Sequence, residues 1–130
     1  MPETTATRAE IEYAVMLVVL DFHTEFMKTN YSNVQVHVFD ELIEVALTKT
    51  TSIPAETLLI KSAGGGALLR QYYRAMFDSC QGLLCKRIER AIGAKVHNLV
   101  ADLDPSAGRT TLLIRLQEPL TTSTVSRSNT

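Results

Sequence analysis

The chain lacks the excess of positive charge that a general nucleic-acid-binding protein needs. Its 130 residues include 13 basic and 14 acidic side chains, which leaves a formal net charge of −1. Affinity for nucleic acid depends on a basic surface, so this balance argues against that class of partner. Hydrophobic residues make up 45% of the chain and charged residues 21%, close to the globular average. The length predicts one domain with a single core.

Cysteine is also scarce. The chain has 2 cysteines, Cys80 and Cys85, and both fall in a predicted helix, on different sides of it. That placement does not suit the short Cα separation of a disulfide. Neither a CxxC pair nor a zinc-binding pattern is present. We therefore expect free thiols, no metal, no cofactor and a reducing, cytoplasmic location.

Long hydrophobic runs are absent. The most apolar run, residues 14–20, is far shorter than the roughly 20 residues that a membrane span needs. The polar N-terminal residues, MPETTATR, lack the apolar core of a signal peptide. We expect no direct membrane span, and we predict that residues 1–7 and 119–130 are disordered around a single domain of residues 8–118.

Residues 67–93 form the longest amphipathic segment and predict one long helix. Their apolar side chains recur at spacings of three and four, which is the stripe that a helix buries against one surface. These are Leu69, Tyr72, Tyr73, Met76, Phe77, Cys80, Leu83, Leu84, Ile88, Ala91 and Ile92. Gly93 stands where a C-cap is expected. Gly82, in the middle, costs about 1 kcal/mol relative to alanine unless a neighbour packs close to it.

The first helical segment, residues 8–28, is apolar nearly all round in its middle. An apolar surface on two sides indicates either burial within the fold or an interface with another chain. The interface interpretation predicts a homo-oligomer that associates through Val15, Val18, Val19 and Phe22.

Two pairs of alternating segments predict β-hairpins. Val34, Val36 and Val38 alternate with polar residues, and an acidic turn leads into a second alternating run, residues 43–48. Residues 95–103 and 110–116 form the second pair, around a turn that begins at Asp104-Pro105. A short helix starting at Pro54 precedes the long one. We therefore predict an α+β, two-layer fold in the order α-β-β-α-α-β-β, with the long helix across one face of a four-stranded antiparallel sheet.

Few residues suggest chemistry. The glycine run at Gly64, Gly65 and Gly66 lacks the Walker and dinucleotide-binding patterns. It is either a flexible hinge or an anion site at a helix start, assisted by Lys61 and Arg70. No GxSxG nucleophile elbow is present.

Asp102 and Asp104 alternate to one side and form a candidate functional turn. They are either an acid–base pair or, as we favour, an exposed residue and a turn cap. His37 and His97 lie on separate hairpins and would share a face only if both hairpins join one sheet. We predict no enzyme and no catalytic residue.

Several short motifs, in this order, resemble the MpsC family. They are Val34-x-Val36-x-Val38, Ile43-x-Val45-x-Leu47, Ile53-Pro54-Ala55-Glu56, Ile92-Gly93-x-x-Val96 and Asp102-x-Asp104-Pro105. MpsC is the third component of a Na+-translocating, membrane-potential-generating system linked to inorganic-carbon supply. The likeness covers about residues 8–117. The chain departs from it at residues 29–32, where members often have a Gly-Arg-Gly-Pro-like turn, and at Val100-Ala101, where they tend to have polar residues.

The resemblance implies a setting rather than a reaction. It predicts a non-catalytic accessory or regulatory module that binds protein, including a partner in a membrane ion- or bicarbonate-transport complex, on the cytoplasmic side. The alternative is a small-molecule or anion sensor with its ligand near Gly64, Gly65 and Gly66.

Overall fold

The computed structural model describes residues 6–27, 29, 31–49 and 53–120, and its elements follow the predicted order. The helices and strands are α1 (Arg8–Phe22), a π-helical turn (His23–Met27), β1 (Asn33–Val38), β2 (Leu42–Thr48), α2 (Pro54–Lys61), α3 (Gly65–Ile92), β3 (Val96–Asp104) and β4 (Arg109–Leu116). The predicted α+β class, the element order and the long helix are confirmed.

The two hairpins form one four-stranded antiparallel sheet in the order β1-β2-β4-β3. Its central pair joins β2 to β4, with Val45 opposite Leu112. The apolar residues of each strand point to the same face, as the alternation predicts for a sheet that is covered on one side. The buried hydrophobic residues of this face are Val38, Ile43, Val45, Leu47, Ala101, Leu103, Leu112, Ile114 and Leu116.

Helices α1 and α3 cover the inner face of the sheet. Phe22 of α1 and Phe77 of α3 are fully buried, and their rings meet edge to face with centroids 6.0 Å apart. The helix stripe is narrower than predicted, because Tyr72 is 57% exposed. Tyr73, its neighbour in the chain, is buried. Leu83 and Ala91 are exposed as well, and the other eight residues of the predicted stripe are buried or pack against the core.

The structure revises the predicted interface on α1, which comprised Val15, Val18, Val19 and Phe22. Three of these side chains have no exposed surface, because α1 packs them against α3 and the sheet, and Val18 is half-buried beside them. The exposed apolar side chains of α1 are instead Tyr13 and Leu17. An interface through α1 would therefore have to use the side of the helix that carries Tyr13 and Leu17.

Both predicted disordered ends lie largely outside the described residues, but their described parts belong to the fold. Thr7 caps α1: its side chain accepts a hydrogen bond from the Glu10 amide at 3.1 Å, and the Glu10 carboxylate accepts one from the Thr7 amide at 2.9 Å. This reciprocal arrangement is a capping box. At the other end, the Leu120 amide donates to the Asp40 carbonyl at 2.8 Å, and its side chain packs against the core.

A tight turn joins α2 to α3 at the glycine run. Gly64 is the N-cap of α3 and has a φ of 75°, a left-handed conformation that favours glycine. Gly65 follows with its Cα against α2, and a Cβ added there would lie 1.7 Å from the Leu59 carbonyl oxygen. Both glycines are thus required by backbone geometry, and the turn is closely packed.

His23, the first residue of the π-helical turn, is a buried polar side chain at 1% exposure. Its Nδ1 donates to the Val19 carbonyl oxygen at 2.9 Å, which leaves Nε2 as an acceptor with no hydrogen-bond partner among the described residues. Burial lowers the pKa of His23 below its ordinary value, while the bond to Val19 acts in the opposite direction. The folded protein therefore holds this imidazole neutral.

We expect the free energy of unfolding to fall as the pH drops below about 6.5, the ordinary pKa of histidine. In that range His23 is protonated in the unfolded chain but not in the folded chain, so acid favours unfolding. The free energy of unfolding then falls by up to about 1.4 kcal/mol per pH unit. Urea unfolding between pH 7.5 and 5 measures the slope for the wild type and for His23→Phe, which has no titrating ring. Equal slopes in the two proteins would contradict the assignment to His23.

Candidate functional site

A groove lies between α2 and the β3–β4 turn. It has a volume of about 340 Å³. Its walls are the end of β2, one side of α2 and the tip of the turn. The lining residues are Lys49, Ile53, Glu56, Thr57, Ile60, Lys61, Pro105, Ser106, Ala107 and Gly108. The groove therefore combines charged, hydroxyl and apolar groups in one concave surface, which is typical of small-molecule sites.

Lys49 occupies the inner part of the groove. It directly follows β2, and its amide donates to the Gly108 carbonyl at 2.8 Å, which ties this point of the chain to the turn. The side chain is 9% exposed, and Nζ lies 3.7 Å from Glu56 Oε1. Nζ also lies 5.8 Å from the centroid of the Tyr73 ring. The fold thus holds a lysine ammonium largely out of water beside a carboxylate and an aromatic ring.

Glu56 links the groove to the long helix. It lies in the first turn of α2, where the helix dipole favours a negative charge. Its Oε2 accepts a 2.5 Å hydrogen bond from the Tyr73 hydroxyl. Burial first, and then the bond to Glu56 and its charge, raise the pKa of Tyr73 well above its ordinary value. Tyr73 therefore stays a neutral donor, and Glu56 shares its charge between this hydroxyl and Lys49.

A second polar cluster lies next to Tyr73, behind the turn. The hydroxyl groups of Tyr31 and Thr110 are 2.8 Å apart and hydrogen-bonded. The Tyr31 ring meets the His23 ring edge to face at 5.2 Å between centroids. A small pocket lined by both Tyr31 and Tyr73, together with Lys49, joins this cluster to the groove. Buried polar side chains thus extend from the groove into the core.

The β3–β4 turn is built as predicted. The Ala107 amide donates to both the carbonyl and the Oδ1 of Asp104, at 3.2 and 3.3 Å, and Gly108 has a φ of 66°. Asp104 therefore caps the turn. Asp102 is exposed on the outer face of the sheet, opposite Thr111. The two carboxylates sit in different environments and do not enclose a cleft.

The predicted ligand residues near the glycine run are only partly brought together. Lys61 lines the groove, and a Cβ on Gly66 would lie 3.7 Å from the Ser106 hydroxyl. Gly64 faces open space and Gly65 is buried. Arg70 is exposed on α3 and does not line the groove. The centre of the concave surface thus lies at Lys49 rather than at the glycines.

Sequence reasoning missed Lys49, Glu56 and Tyr73 as a group. Their spacing matches no motif, because the groove joins three elements that meet only in the fold. Glu56 alone carried a signal, through its place at the start of a helix in Ile53-Pro54-Ala55-Glu56. A lysine that directly follows an apolar strand carries no comparable signal.

The other candidates are apart from the groove. The two hairpins do join one sheet, but β1 and β3 are its opposite edges, so β2 and β4 lie between His37 on β1 and His97 near the start of β3. Among the described residues, no three His, Cys, Asp or Glu side chains are grouped to hold a metal ion. Cys80 and Cys85 are free and half-buried, and burial raises the pKa of both thiols.

None of the helices in the described part of the chain combines the length and apolar character needed to cross a membrane.

Comparisons with known proteins place this fold in a family. Neither a curated protein nor a solved structure matches the chain significantly. One family model does match, over residues 7–118, and its description is Na+-translocating membrane potential-generating system (MpsC). Since this match extends from the N-cap of α1 to beyond the end of β4, the chain belongs to the MpsC family.

Proposed function

We propose that the chain is a non-catalytic accessory component of the Na+-translocating membrane-potential-generating system after which its family is described. In this proposal the chain forms a homodimer. The dimer binds a protein of the system on the cytoplasmic side and thereby regulates ion or bicarbonate transport. The family match supports the setting, and an uncovered face of α3 supports the protein-binding role.

The observation that carries the proposal is an exposed, uncharged stripe along α3, which we call the α3 stripe. It consists of Leu68, Tyr72, Ala75, Ser79, Gly82 and Leu83, all of them exposed. The spacings of three and four place these residues on one side of the helix over about four turns. Apart from its chain neighbours and the backbone of the adjoining turns of α3, no described part of the chain comes within 4 Å of a Cβ built on Gly82. Six exposed positions in a row along one side of a helix without a charge are unusual next to solvent and are typical of the core of an interface.

The composition of the α3 stripe suits a second helix. Its middle residues, Ala75, Ser79 and Gly82, are small and allow close approach of another backbone. Leu68 and Tyr72 at one end are 56% and 57% exposed and supply apolar area. Gly82 costs about 1 kcal/mol of helix stability, and close packing against a partner would give this position a use that the single chain does not show.

The carboxylates support the non-catalytic part of the proposal. Asp104 is engaged in capping its turn, and Asp102 points to the open outer face of the sheet. A general acid–base pair needs both groups in a cleft with shifted pKa values. The capping role of Asp104 and the exposure of Asp102 therefore support a non-catalytic module.

We expect Ala75→Glu to convert a dimer into a folded monomer. The variant places a charge in the middle of the α3 stripe, where association would bury it without a partner. Light scattering coupled to size exclusion measures the mass of each protein. Ala91→Glu is the matched control, because Ala91 is an exposed alanine of the same helix outside the stripe, and we expect it to keep the wild-type mass.

A wild-type protein that remains monomeric at millimolar concentration would contradict the homodimer. A dimer unaffected by Ala75→Glu would place the interface elsewhere, and circular dichroism of both variants verifies that each is folded. Co-purification of the chain with the membrane subunits of its system, lost in the same variant, would extend the result from self-association to the transport complex.

A further inference from the structure

We propose that the groove between α2 and the β3–β4 turn binds a small organic anion, a carboxylate with a short apolar chain, and that Lys49 holds the carboxylate. The inference goes beyond the protein-binding role, because no residue of the α3 stripe lines the groove. A volume of about 340 Å³ falls at the lower end of the roughly 300–1,000 Å³ of small-molecule pockets.

The ammonium group of Lys49 points to an anionic ligand. The Lys49 side chain is 9% exposed, yet the carboxylate oxygen paired with its ammonium, Glu56 Oε1, is 3.7 Å away, beyond the roughly 2.7–3.2 Å of a good hydrogen bond. The other oxygen of Glu56 is taken by the Tyr73 hydroxyl. An ammonium has three hydrogens to donate, and a buried charge is costly unless they find acceptors. A ligand carboxylate in the groove would supply them.

The charges around the groove favour the same sign of ligand. Lys49 and Lys61 both line it, against the single carboxylate of Glu56. Glu56 accepts a hydrogen bond from the Tyr73 hydroxyl and forms an ion pair with Lys49, so its charge is already balanced without a further cation. The exposed hydroxyl of Ser106, at the tip of the turn, faces the groove opposite α2. The groove is thus a positively biased site with a hydroxyl group at its rim.

The apolar part of the lining indicates that the anion is organic. Ile53 and Ile60, one at each end of α2, and Pro105 of the turn provide walls that an inorganic anion would leave in contact with water. A chain of a few carbon atoms covers such walls, and each buried methylene tightens binding about fourfold. The combination of one buried ammonium and three apolar walls therefore fits a short-chain carboxylate.

The test is a titration of the full, isotopically labelled chain by amide NMR, with the sodium salts of acetate, butyrate and hexanoate. We expect the amide signals of Lys49 and of residues 106–108 to move, with an affinity that rises from acetate to hexanoate. Sodium chloride, bicarbonate and phosphate test a negative charge without an alkyl chain. 1-Hexanol tests the alkyl chain without a charge. We expect all four to bind more weakly than hexanoate.

Variants locate the site. We expect Lys49→Met to weaken hexanoate binding about 10- to 100-fold, the range of a lost charge-assisted hydrogen bond. Arg70→Met, which removes an exposed cation away from the groove, should leave the affinity unchanged. If Lys49→Met fails to fold, Ser106→Trp replaces it, because this exposed turn residue can fill the groove without removing the ion pair, and it should also abolish binding.

Three results would overturn the proposal. The first is that the amide signals of Lys49 and residues 106–108 do not move with 20 mM hexanoate. The second is that Lys49→Met or Ser106→Trp binds hexanoate as tightly as the wild type. The third is that chloride or hexanol binds as tightly as hexanoate. The oligomeric state of the wild type and of Ala75→Glu is measured separately, so a failure of the ligand site is distinguishable from a failure of the protein-binding proposal.

Discussion

Phe77→Ala will lower the free energy of unfolding by about 3–5 kcal/mol, the usual range for removing a buried phenylalanine. Phe77 lies near the middle of α3 with no exposed surface and contacts the edge of Phe22 from α1. Its truncation leaves a cavity at the point where both helices meet the sheet. Because single domains are stable by only about 5–15 kcal/mol, this loss brings the chain close to unfolding at ambient temperature.

Urea unfolding followed by circular dichroism measures the difference. Tyr72→Ala is the matched control, since it removes an aromatic side chain of similar size from the same helix at a position that is 57% exposed. Because Tyr72 belongs to the α3 stripe, both variants are compared in the Ala75→Glu background, where we expect a monomer. We expect the control to change stability by less than about 1 kcal/mol. A similar loss in both variants would mean that α3 is rotated relative to the packing described above.

Gly65→Ala will destabilise the fold by about 1–3 kcal/mol, although alanine is normally the better helix residue. The added Cβ would lie 1.7 Å from the Leu59 carbonyl oxygen and 2.5 Å from the Ser62 hydroxyl. A backbone carbonyl cannot move away as a flexible side chain does, so the turn between α2 and α3 must open. The same measurement of unfolding by urea records the loss.

Gly66→Ala is the control at the next residue of the helix. Its Cβ would meet only the Ser106 hydroxyl, at 3.7 Å, an ordinary contact. We expect this variant to be neutral or more stable by up to about 1 kcal/mol, because alanine restricts the unfolded chain. If Gly65→Ala behaves like Gly66→Ala, the close approach of α2 and α3 is incorrect and the glycine run is a hinge after all.

Local pattern was sufficient to predict most of the elements. The stripe around Phe77 predicted α3, the alternation through Val45 predicted β2, and Pro54 marked the start of α2 at the observed residue. The Asp104-Pro105 turn followed from the conformational preferences of its residues. In each case the signal lies within one element, where neighbouring residues in the chain share the same backbone geometry.

Packing between elements was not predictable in the same way. The apolar middle of α1 was consistent with a core or an interface, and only the position of α3 and the sheet showed that Val15 and Val19 are buried within the chain. Tyr72 and Tyr73 both fit the predicted stripe, yet one faces solvent and the other Glu56. The width of a buried stripe depends on the shape of the surface that covers it. The periodicity of a single helix carries no information about that shape.

The sequence by itself determined the class, the order of the elements and the family, because each depends on local periodicity, turn chemistry and short motifs in order. The tertiary structure alone decided that β4 lies between β2 and β3 and that His37 and His97 lie on opposite edges. It alone also brought Lys49 and Glu56 together in one groove, with Tyr73 next to them. These three residues are brought together by the pairing of β2 with β4 and by the turn between α2 and α3. Contacts of that kind depend on how complete elements pack, and no local spacing encodes them.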